Sequence, residues 1–490
     1  MPDNIIFNTI PTDIRTPGQF LEIDNSKALR GLPSLDRRIL VMGNMLATGT
    51  ASAETLYRIN SGDEGAALFG RGSVLHEMLR LVRAANKTSD VWALGLEDLA
   101  AGVAATKVIT VSGPATAAGT IALYINGQKL SIGVAAGDTP STVATAIAAV
   151  VGAYANGPVT AAAVDDVVTL TARHKGAFTQ GIAVLTNFYD DEVLPAGITV
   201  AIADGVTGAG NPDAADALAA ISDESFYTII SPWSDAANMA LVEAELGSRF
   251  GGMDMRTGHV FVGVAGTHGT LTTYGSARNN AHSTFIGVKG APQAPYLWGA
   301  VLGAVAEFNG AIDPARPLQT LVLPGLLAPR PADRFRREER DLLLRDGCST
   351  FTVAQDGTVL IERVVTTYQT NAWGIEDVSY LDLESVWTAD YMRYAFRVAV
   401  ATDYPRHKLA DDGTDFDPAQ PIATPSMIKG TLVATGKKLE KAGLLEGFEE
   451  FKTALVVQRS MVDRNRVNAV IPPDLVNQFR IFAGSIQFIL

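Results

Sequence analysis

The chain has 490 residues, of which 47% are apolar and 19% charged, and its net charge is −13. This composition supports a packed core and excludes a disordered chain, and the length predicts roughly three domains. The negative charge argues against nucleic acid as a partner, because phosphate binding requires a basic surface. We expect no membrane insertion and no signal peptide, since no long apolar window and no basic-then-apolar N-terminus occur. We therefore predict a soluble protein that is made in a cytoplasm.

Residues 1–30 are predicted to form an extended N-terminal arm. Apolar and polar positions alternate in two short stretches, as in strands. Pro11 and Pro17 withhold backbone donors between them and exclude a helix. The apolar residues that would enter a sheet are Ile5, Phe7, Phe20 and Ile23.

Residues 31–100 and 206–360 are predicted to form one discontinuous α/β middle domain. Its first part contains a short buried strand, an amphipathic helix over Ser73–Ala85 and a second strand. Helices and strands alternate again throughout the second part, which is typical of a doubly wound sheet. The predicted helices there are 213–221, 234–249, 269–277 and 296–308, and the strands are 227–231, 259–264, 283–288, 350–354 and 358–363.

Residues 101–205 are predicted to form an inserted β-rich outer domain. They are rich in Ala, Gly, Val and Thr and contain several alternating strand patterns. Asn126-Gly127 lies between two of these patterns and predicts a tight hairpin. A helix is expected from Pro140 to about Tyr154.

Pro331–Asp346 is predicted to be one charged helix. Its Arg and Glu side chains would either form a solvated face with internal ion pairs or provide a polar contact surface. Arg334 and Arg337 are the candidate contact residues of the second interpretation.

Residues 361–473 are predicted to form a small α+β domain. It would contain a helix over 385–402 and a helix that begins after Thr424 and ends at Gly443. Strands are expected at Phe451–Gln458 and Val467–Ile471. The second helix carries the candidate contact residues Lys437, Lys438 and Lys441 near its negative end.

Residues 474–490 are predicted to form an apolar C-terminal arm, with a strand over Phe479–Leu490. Exposing its apolar face would cost about 1.5–3 kcal/mol for each large side chain. The strand therefore docks in a sheet, either in its own subunit or in a neighbour. Its apolar residues are Phe479, Ile481, Ile486, Phe488 and Leu490.

No motif for catalysis, a cofactor or a metal is complete. Cys348 is the single cysteine and lies in a strand pattern. Gly430 and Gly436-Lys437 lack both the spacing and the following Ser or Thr of a phosphate loop. We therefore expect a protein that is not an enzyme and needs no cofactor.

Six segments spread over the whole chain resemble contractile tail sheath proteins of Mu-like bacteriophages. Their order and number carry the resemblance, because none of them is catalytic. The segments are NTIPTDIRTPGQFLEID (8–24), RRILVMGNMLATGT (37–50), ALFGRGSVLHEMLR (67–80), ARPLQTLVLPGL (315–326), YLDLESVWTADYMRYAFR (380–397) and RNRVNAVIPPDLVNQFRIFAGSIQFIL (464–490).

This resemblance implies a structural subunit that polymerises around an inner tail tube and contracts to drive the tube through the host envelope for genome delivery. Both arms would exchange strands with neighbouring copies and complete their C-terminal domains, with receiving strands between about 450 and 472. The implied partners are further copies, the tube protein, and baseplate and tail terminator proteins. The location would be the virion tail, after assembly in the bacterial cytoplasm. The inserted domain would face outward. As a separate prediction, the charged residues of 331–346 or those of 425–443 face the tube.

Two alternatives remain open at this point. A subunit that polymerises around a tube and contracts would equally suit a phage-tail-like bacteriocin or another contractile injection system. A soluble α/β enzyme with an unrecognised site is the alternative of a different class.

Overall fold

The computed structural model describes residues 15–20, 32–417 and 420–489. The chain divides into two compact units, which we call the middle unit and the C-terminal unit. Of the described residues, the middle unit comprises 15–18, 37–308 and 318–381, and the C-terminal unit comprises 19–20, 32–36, 309–317, 382–417 and 420–489.

The middle unit begins with a strand and an amphipathic helix, both of which were predicted. The hydroxyl of Ser73 accepts a hydrogen bond from the backbone N–H of His76 and so caps the helix. The small elements β2 and α1 were not predicted. The elements are β1 (Arg38–Asn44), β2 (Leu56–Ile59), α1 (Gly62–Phe69), α2 (Val74–Ala85) and β3 (Asp90–Leu96).

The next part of the chain contains seven strands and one long helix. Asn126 and Gly127 have φ angles of 49° and 85°, so the predicted two-residue hairpin turn is confirmed. The elements are β4 (Thr106–Ser112), β5 (Gly119–Ile125), β6 (Gln128–Val134), α3 (Pro140–Ala153), β7 (Val159–Val164), β8 (Val167–Ala172), β9 (Val184–Thr186) and β10 (Thr199–Asp204).

Alternation of helices and strands then resumes, as predicted. The elements are α4 (Ala214–Ile221), β11 (Thr228–Ile230), α5 (Ala236–Phe250), β12 (His259–Ala265), α6 (His268–Ser276), β13 (Ser283–Val288), α7 (Pro295–Ile312), α8 (Arg337–Arg345), β14 (Cys348–Val353) and β15 (Val359–Arg363).

One eight-stranded sheet joins the first and third of these parts, in the order β2-β3-β1-β11-β12-β13-β14-β15. Neighbouring strands are parallel except at the two edges, where β2 and β15 are antiparallel. Side chains of α4, α5, α6 and α8 share a buried cluster with one face of the sheet. Helices α2 and α7 approach the other face closely at Gly43 and Gly263. The α/β class is therefore confirmed.

The chain between β3 and β11 forms two further sheets. One has four strands in the order β10-β4-β8-β7, and the other has three in the order β6-β5-β9. Apolar side chains of both sheets and of α3 form a buried cluster of their own. The boundaries 101 and 205 of an inserted domain stay a prediction.

The prediction of one helix over Pro331–Asp346 is wrong. A 3₁₀ turn over Pro331–Asp333 is followed by extended residues, and α8 begins only at Arg337. The extended backbone allows Phe335 to be buried. The carboxylate of Glu339 accepts a hydrogen bond from the N–H of Arg336 and stabilises the later helix start.

The C-terminal unit packs two long helices against short strands. Met392, Phe396, Leu432, Leu439 and Phe451 lie at the centre of its core. The elements are α9 (Leu383–Asp403), β16 (Lys408–Leu409), β17 (Ile422–Ala423), α10 (Pro425–Lys441), β18 (Leu445–Glu446), α11 (Phe448–Ala454), β19 (Val456–Arg459), β20 (Val467–Val470) and β21 (Asp474–Leu475).

One strand prediction in this unit is wrong in part, and another stays a prediction. The N-terminal part of Phe451–Gln458 belongs to α11, because Phe448, Phe451 and Leu455 have helical spacing and all pack into the core. The predicted strand over Phe479–Leu490 is absent from residues 479–489 of the described chain. A strand requires a pairing partner, and this segment pairs with no strand of its own subunit there.

Candidate assembly surface

The large sheet reverses its strand order between β1 and β11, which is where open α/β sheets commonly bind ligands. Here protein side chains fill the crevice. Trp233, which follows β11 and is fully buried, donates a hydrogen bond from its indole nitrogen to Asn44 Oδ1 over 3.0 Å. Asn44 in turn donates to Asp98 Oδ1 over 2.7 Å. This buried arrangement is a packing and hydrogen-bonding centre.

The same network continues to the residues after β8. His174 Nδ1 lies 2.9 Å from Asp98 Oδ1, and the backbone N–H of Lys175 donates to Asp98 Oδ2. Because these hydrogen bonds outweigh the effect of burial, the pKa of Asp98 is lowered and its carboxylate stays charged. Asp98 therefore links the carboxyl ends of the large sheet to the chain that returns from β8.

Candidate chemical groups elsewhere do not form a site. Burial raises the pKa of the Cys348 thiol and suppresses its thiolate form. Within the described ranges, no group of three or more His, Cys, Asp or Glu side chains is placed to hold a metal ion. No helix in the same part of the chain has the length and apolarity needed to cross a bilayer.

The C-terminal unit contains a mainly apolar groove with a volume of about 510 Å³. One wall is formed by α9 and α10, and the other by β20 and the residues that follow it. The lining residues are Ala389, Met392, Arg393, Phe396, Arg397, Val400, Ile428, Leu432, Val467, Ala469, Ile471, Pro473 and Leu475. Exposed apolar surfaces of this kind commonly mark interaction sites.

Strand β20 borders this groove and has an open edge. It pairs with β19 on one side, and in the described chain no other strand joins this two-stranded sheet. Val467 and Ala469, at alternate positions of β20, face the groove. An added strand would find both backbone partners and an apolar floor here.

The root of the C-terminal arm is fixed to its own subunit. Val476 N–H donates to the carbonyl of Leu444 over 3.1 Å. The Arg480 guanidinium lies 3.0 Å from both Asp382 Oδ1 and Glu384 Oε2, at the start of α9. The Glu384 side chain is only 1% exposed, so this ion pair is largely removed from solvent.

Beyond Arg480 the arm is exposed. Ile481 is 82% exposed, Ile486 95% and Phe488 79%. Of the other predicted strand-exchange residues, Phe20 and Phe479 are also exposed. Ile5, Phe7, Ile23 and Leu490 lie outside the described residues.

The candidate charged contact residues fall in both units. In the middle unit, Arg337 is exposed at the start of α8, whereas Arg334 donates to the carbonyl of Pro329. In the C-terminal unit, Lys437 pairs with Glu440 and lies over the Phe448 ring. Lys441 is exposed at the end of α10, and Lys438 is half-buried.

Two features of this surface were not predicted. The groove depends on residues far apart in the chain and has no local signal. Arg480 did have one, because it is the single charged residue in the apolar stretch from Phe479 to Leu490. A charge kept within such a stretch suggests a specific partner.

Comparison with known proteins shows which family this chain belongs to. Residues 207–367 match the phage tail sheath protein central domain, and residues 376–489 match the phage tail sheath C-terminal domain. The Mu-like prophage FluMu tail sheath protein of Haemophilus influenzae is 40% identical over 487 residues, which are 99% of this chain and 100% of that protein.

The chain belongs to the phage tail sheath family. The resemblance seen in the sequence is thereby confirmed, and the protein is a contractile tail sheath subunit. The family is a structural one, and the alternative of a soluble enzyme loses its basis.

Two solved sheath structures are similar to this chain at low identity. The sheath tail protein Lin1278 from Listeria innocua has a TM-score of 0.50 and 15% identity, over 92% of this chain and 94% of that one. The helical sheath of the anti-feeding prophage in its contracted state has a TM-score of 0.48 and 12% identity, over 97% of this chain and 99% of that one.

Proposed function

We propose that this sheath subunit polymerises around an inner tail tube by lending its chain ends to neighbouring copies, and that contraction drives the tube through a host envelope for genome delivery. One observation carries the proposal. The C-terminal unit has an exposed apolar chain end and also an open strand edge beside an apolar groove. The two features are complementary, and both occur on every copy.

The segment that exchanges is shorter than the predicted arm 474–490. Asp474–Leu475 already pairs with β18 of the same subunit, and Arg480 is held by Asp382 and Glu384. We therefore assign residues 481–490 to the exchanged strand. Arg480 is the last described residue of the arm that is held by its own subunit, and the exchanged strand begins after it.

Strand addition supplies enough free energy for a stable link. Each new backbone hydrogen bond contributes about 0.5–1.5 kcal/mol net. Burying each large apolar side chain, such as Ile486 or Phe488, adds about 1.5–3 kcal/mol. A link of this kind holds while the units on either side rotate, as contraction requires.

The other chain end and the remaining partners complete the proposal. The N-terminal arm, with Ile5, Phe7, Phe20 and Ile23, would pair with a further copy. Baseplate and tail terminator proteins would bind the two ends of the sheath, and we include no nucleic acid, membrane, cofactor or catalytic role. Assembly would occur in the bacterial cytoplasm and the product would be part of the virion.

We assign the tube contact to α10 rather than to the segment around Arg334. Lys438 and Lys441 form no ion pair in the described part of the chain, whereas Arg334 points towards the carbonyl of Pro329. An exposed lysine without an acidic partner in the described residues, such as Lys441, suits an acidic surface on the tube.

Deleting residues 481–490 tests the proposal. We expect a monomer with an unchanged melting temperature that no longer forms the hollow, striated tubes of the full-length protein in electron micrographs. The double substitution Ile486→Ser and Phe488→Ser should have the same effect, because it removes the apolar face.

The matched control changes the opposite face of the same strand. Ser485→Ala with Gln487→Ala keeps the length of the arm and its apolar residues, so tubes should still form. Normal tubes from the truncated protein would contradict strand exchange by this arm.

A further inference from the structure

A second apolar surface lies on the middle unit and is not part of the proposed strand exchange. Trp373 is 84% exposed, and the nearby Ile375 and Val378 are 63% and 68% exposed. All three belong to residues 368–380, which we call the Trp373 loop. Aromatic residues with this exposure are the typical anchors of protein–protein interfaces.

The Trp373 loop is held in one shape before any partner binds. Asn371 N–H donates to the carbonyl of Ile375, and the Asn371 side chain accepts from the N–H groups of Trp373 and Ile375. At the base of the loop, Asn279 donates to the Thr370 carbonyl over 2.8 Å. A loop that is already ordered loses little entropy when it binds.

Residues 368–375 of the loop lie between the parts of the chain that match the two family models, which end at 367 and resume at 376. It is acidic as well as apolar. Glu376 and Asp377 follow the tryptophan, and no Lys or Arg occurs between Arg363 and Arg393. A suitable partner surface would combine aromatic walls with a basic group.

Such a surface exists on the same unit. A pocket of about 290 Å³ is lined by Arg334, Phe335, Arg340, Phe351 and neighbouring residues of β14. Arg340 is paired with Glu362, but Arg334 enters no ion pair within the described residues. We call this the Arg334 pocket.

We propose that the Trp373 loop of one copy binds the Arg334 pocket of a second copy. The indole would lie between the aromatic walls, and Glu376 would pair with Arg334. Because loop and pocket are different patches of one chain, the contact is head-to-tail and joins copies into a ring or a filament. The inference rests on the self-assembly proposed above but not on the chain ends.

Trp373→Ala tests the loop. We expect the critical concentration for tube formation to rise roughly thirtyfold, as for the loss of an aromatic hot spot, with no change in melting temperature. Trp373→Phe should recover most of the loss. Met253→Ala, at another fully exposed apolar residue, is the matched control and should assemble as wild type. Equal critical concentrations for wild type and Trp373→Ala would overturn the proposal.

A charge exchange tests the pocket. Glu376→Arg and Arg334→Glu should each impair assembly, and the two together should restore it. Failure of the double variant to recover, when each single variant is impaired, would contradict the proposed pairing.

Disulfide formation tests the contact directly, since the native Cys348 is buried. Ala372→Cys in one tagged copy and Thr352→Cys in another should give a covalent dimer when mixed and none alone. The reaction is followed on tubes and on concentrated soluble protein, so it reports on this contact even if the arms are not exchanged. Absence of the mixed dimer, or linkage to a different protein instead, would overturn the assignment.

Discussion

Replacing Arg37 with methionine is expected to lower the free energy of unfolding of the middle unit by about 3–5 kcal/mol, the usual cost of leaving a buried charge unpaired. Arg37 Nε and Nη2 lie 2.7 and 3.0 Å from the two carboxylate oxygens of Glu307, whose side chain is fully buried. Thr228 also donates to Glu307 over 2.6 Å. The substitution leaves the buried Glu307 side chain without its arginine partner, and of these three hydrogen bonds only the one from Thr228 remains.

The neighbouring arginine provides the matched control. Arg38 pairs with Glu224, which is 55% exposed, so Arg38→Met should cost less than about 1 kcal/mol. Adding Glu307→Met to Arg37→Met should recover most of the loss, because it removes the unpaired charge. Urea unfolding of the monomer that lacks residues 481–490 measures all three variants. A small effect of Arg37→Met would show that Glu307 finds another partner.

Replacing Glu77 with glutamine is expected to remove a pH dependence of about 3 kcal/mol from the stability of the middle unit. Burial raises the pKa of Glu77 from 4.5 to about 7. Its carboxylate accepts hydrogen bonds from Asn126 Nδ2 and the Tyr296 hydroxyl, which come from the hairpin turn and from α7. These bonds favour the charged form but do not offset the loss of hydration.

The direction follows from proton binding. Between pH 4.5 and about 7 the folded protein keeps the Glu77 proton while the unfolded chain releases it, so rising pH destabilises the fold over this range. The stabilising effect of the raised pKa is therefore complete below pH 4.5 and lost above about 7. Glutamine is neutral throughout, and its amide oxygen can accept the same two bonds.

Denaturant unfolding at a series of pH values measures this effect as the difference between Glu77→Gln and wild type. That difference should grow in favour of glutamine by roughly 3 kcal/mol from about pH 4.5 to about pH 8. Glu338→Gln, on the exposed side of α8, should give a small and constant difference. A constant difference for Glu77→Gln as well would mean that its pKa is not raised.

Local patterns were sufficient for most of the α/β order. Ser73 before an apolar stripe and Asn126-Gly127 between two strands each specify a structure through their immediate neighbours. Local patterns gave wrong predictions where a tertiary contact determines the backbone conformation. The predicted charged helix is interrupted at Phe335, because the Phe335 side chain is buried in the core and the backbone there is extended. Phe451 likewise packs into the core, and it does so from a helix rather than from the predicted strand.

The assembly surface could be predicted only in part. The apolar alternation at Ile486 and Phe488 identified the chain end, because one face of a strand is a local property. Whether that strand docks in its own subunit depends on what lies beside it. The groove and the Arg480 ion pair bring together α9, α10 and β20, which no local pattern relates.

The open edge of β20 and the unpaired chain end have a consequence for size. In the strand exchange proposed above, the donor and the acceptor lie at different places on the subunit, so copies that do not close into a ring join into an open filament in which each added copy brings a new acceptor. Growth of such a filament has no intrinsic stop. Under the proposed strand exchange, the length of a filament would therefore have to be set by a component other than this subunit, and one end would have to be capped.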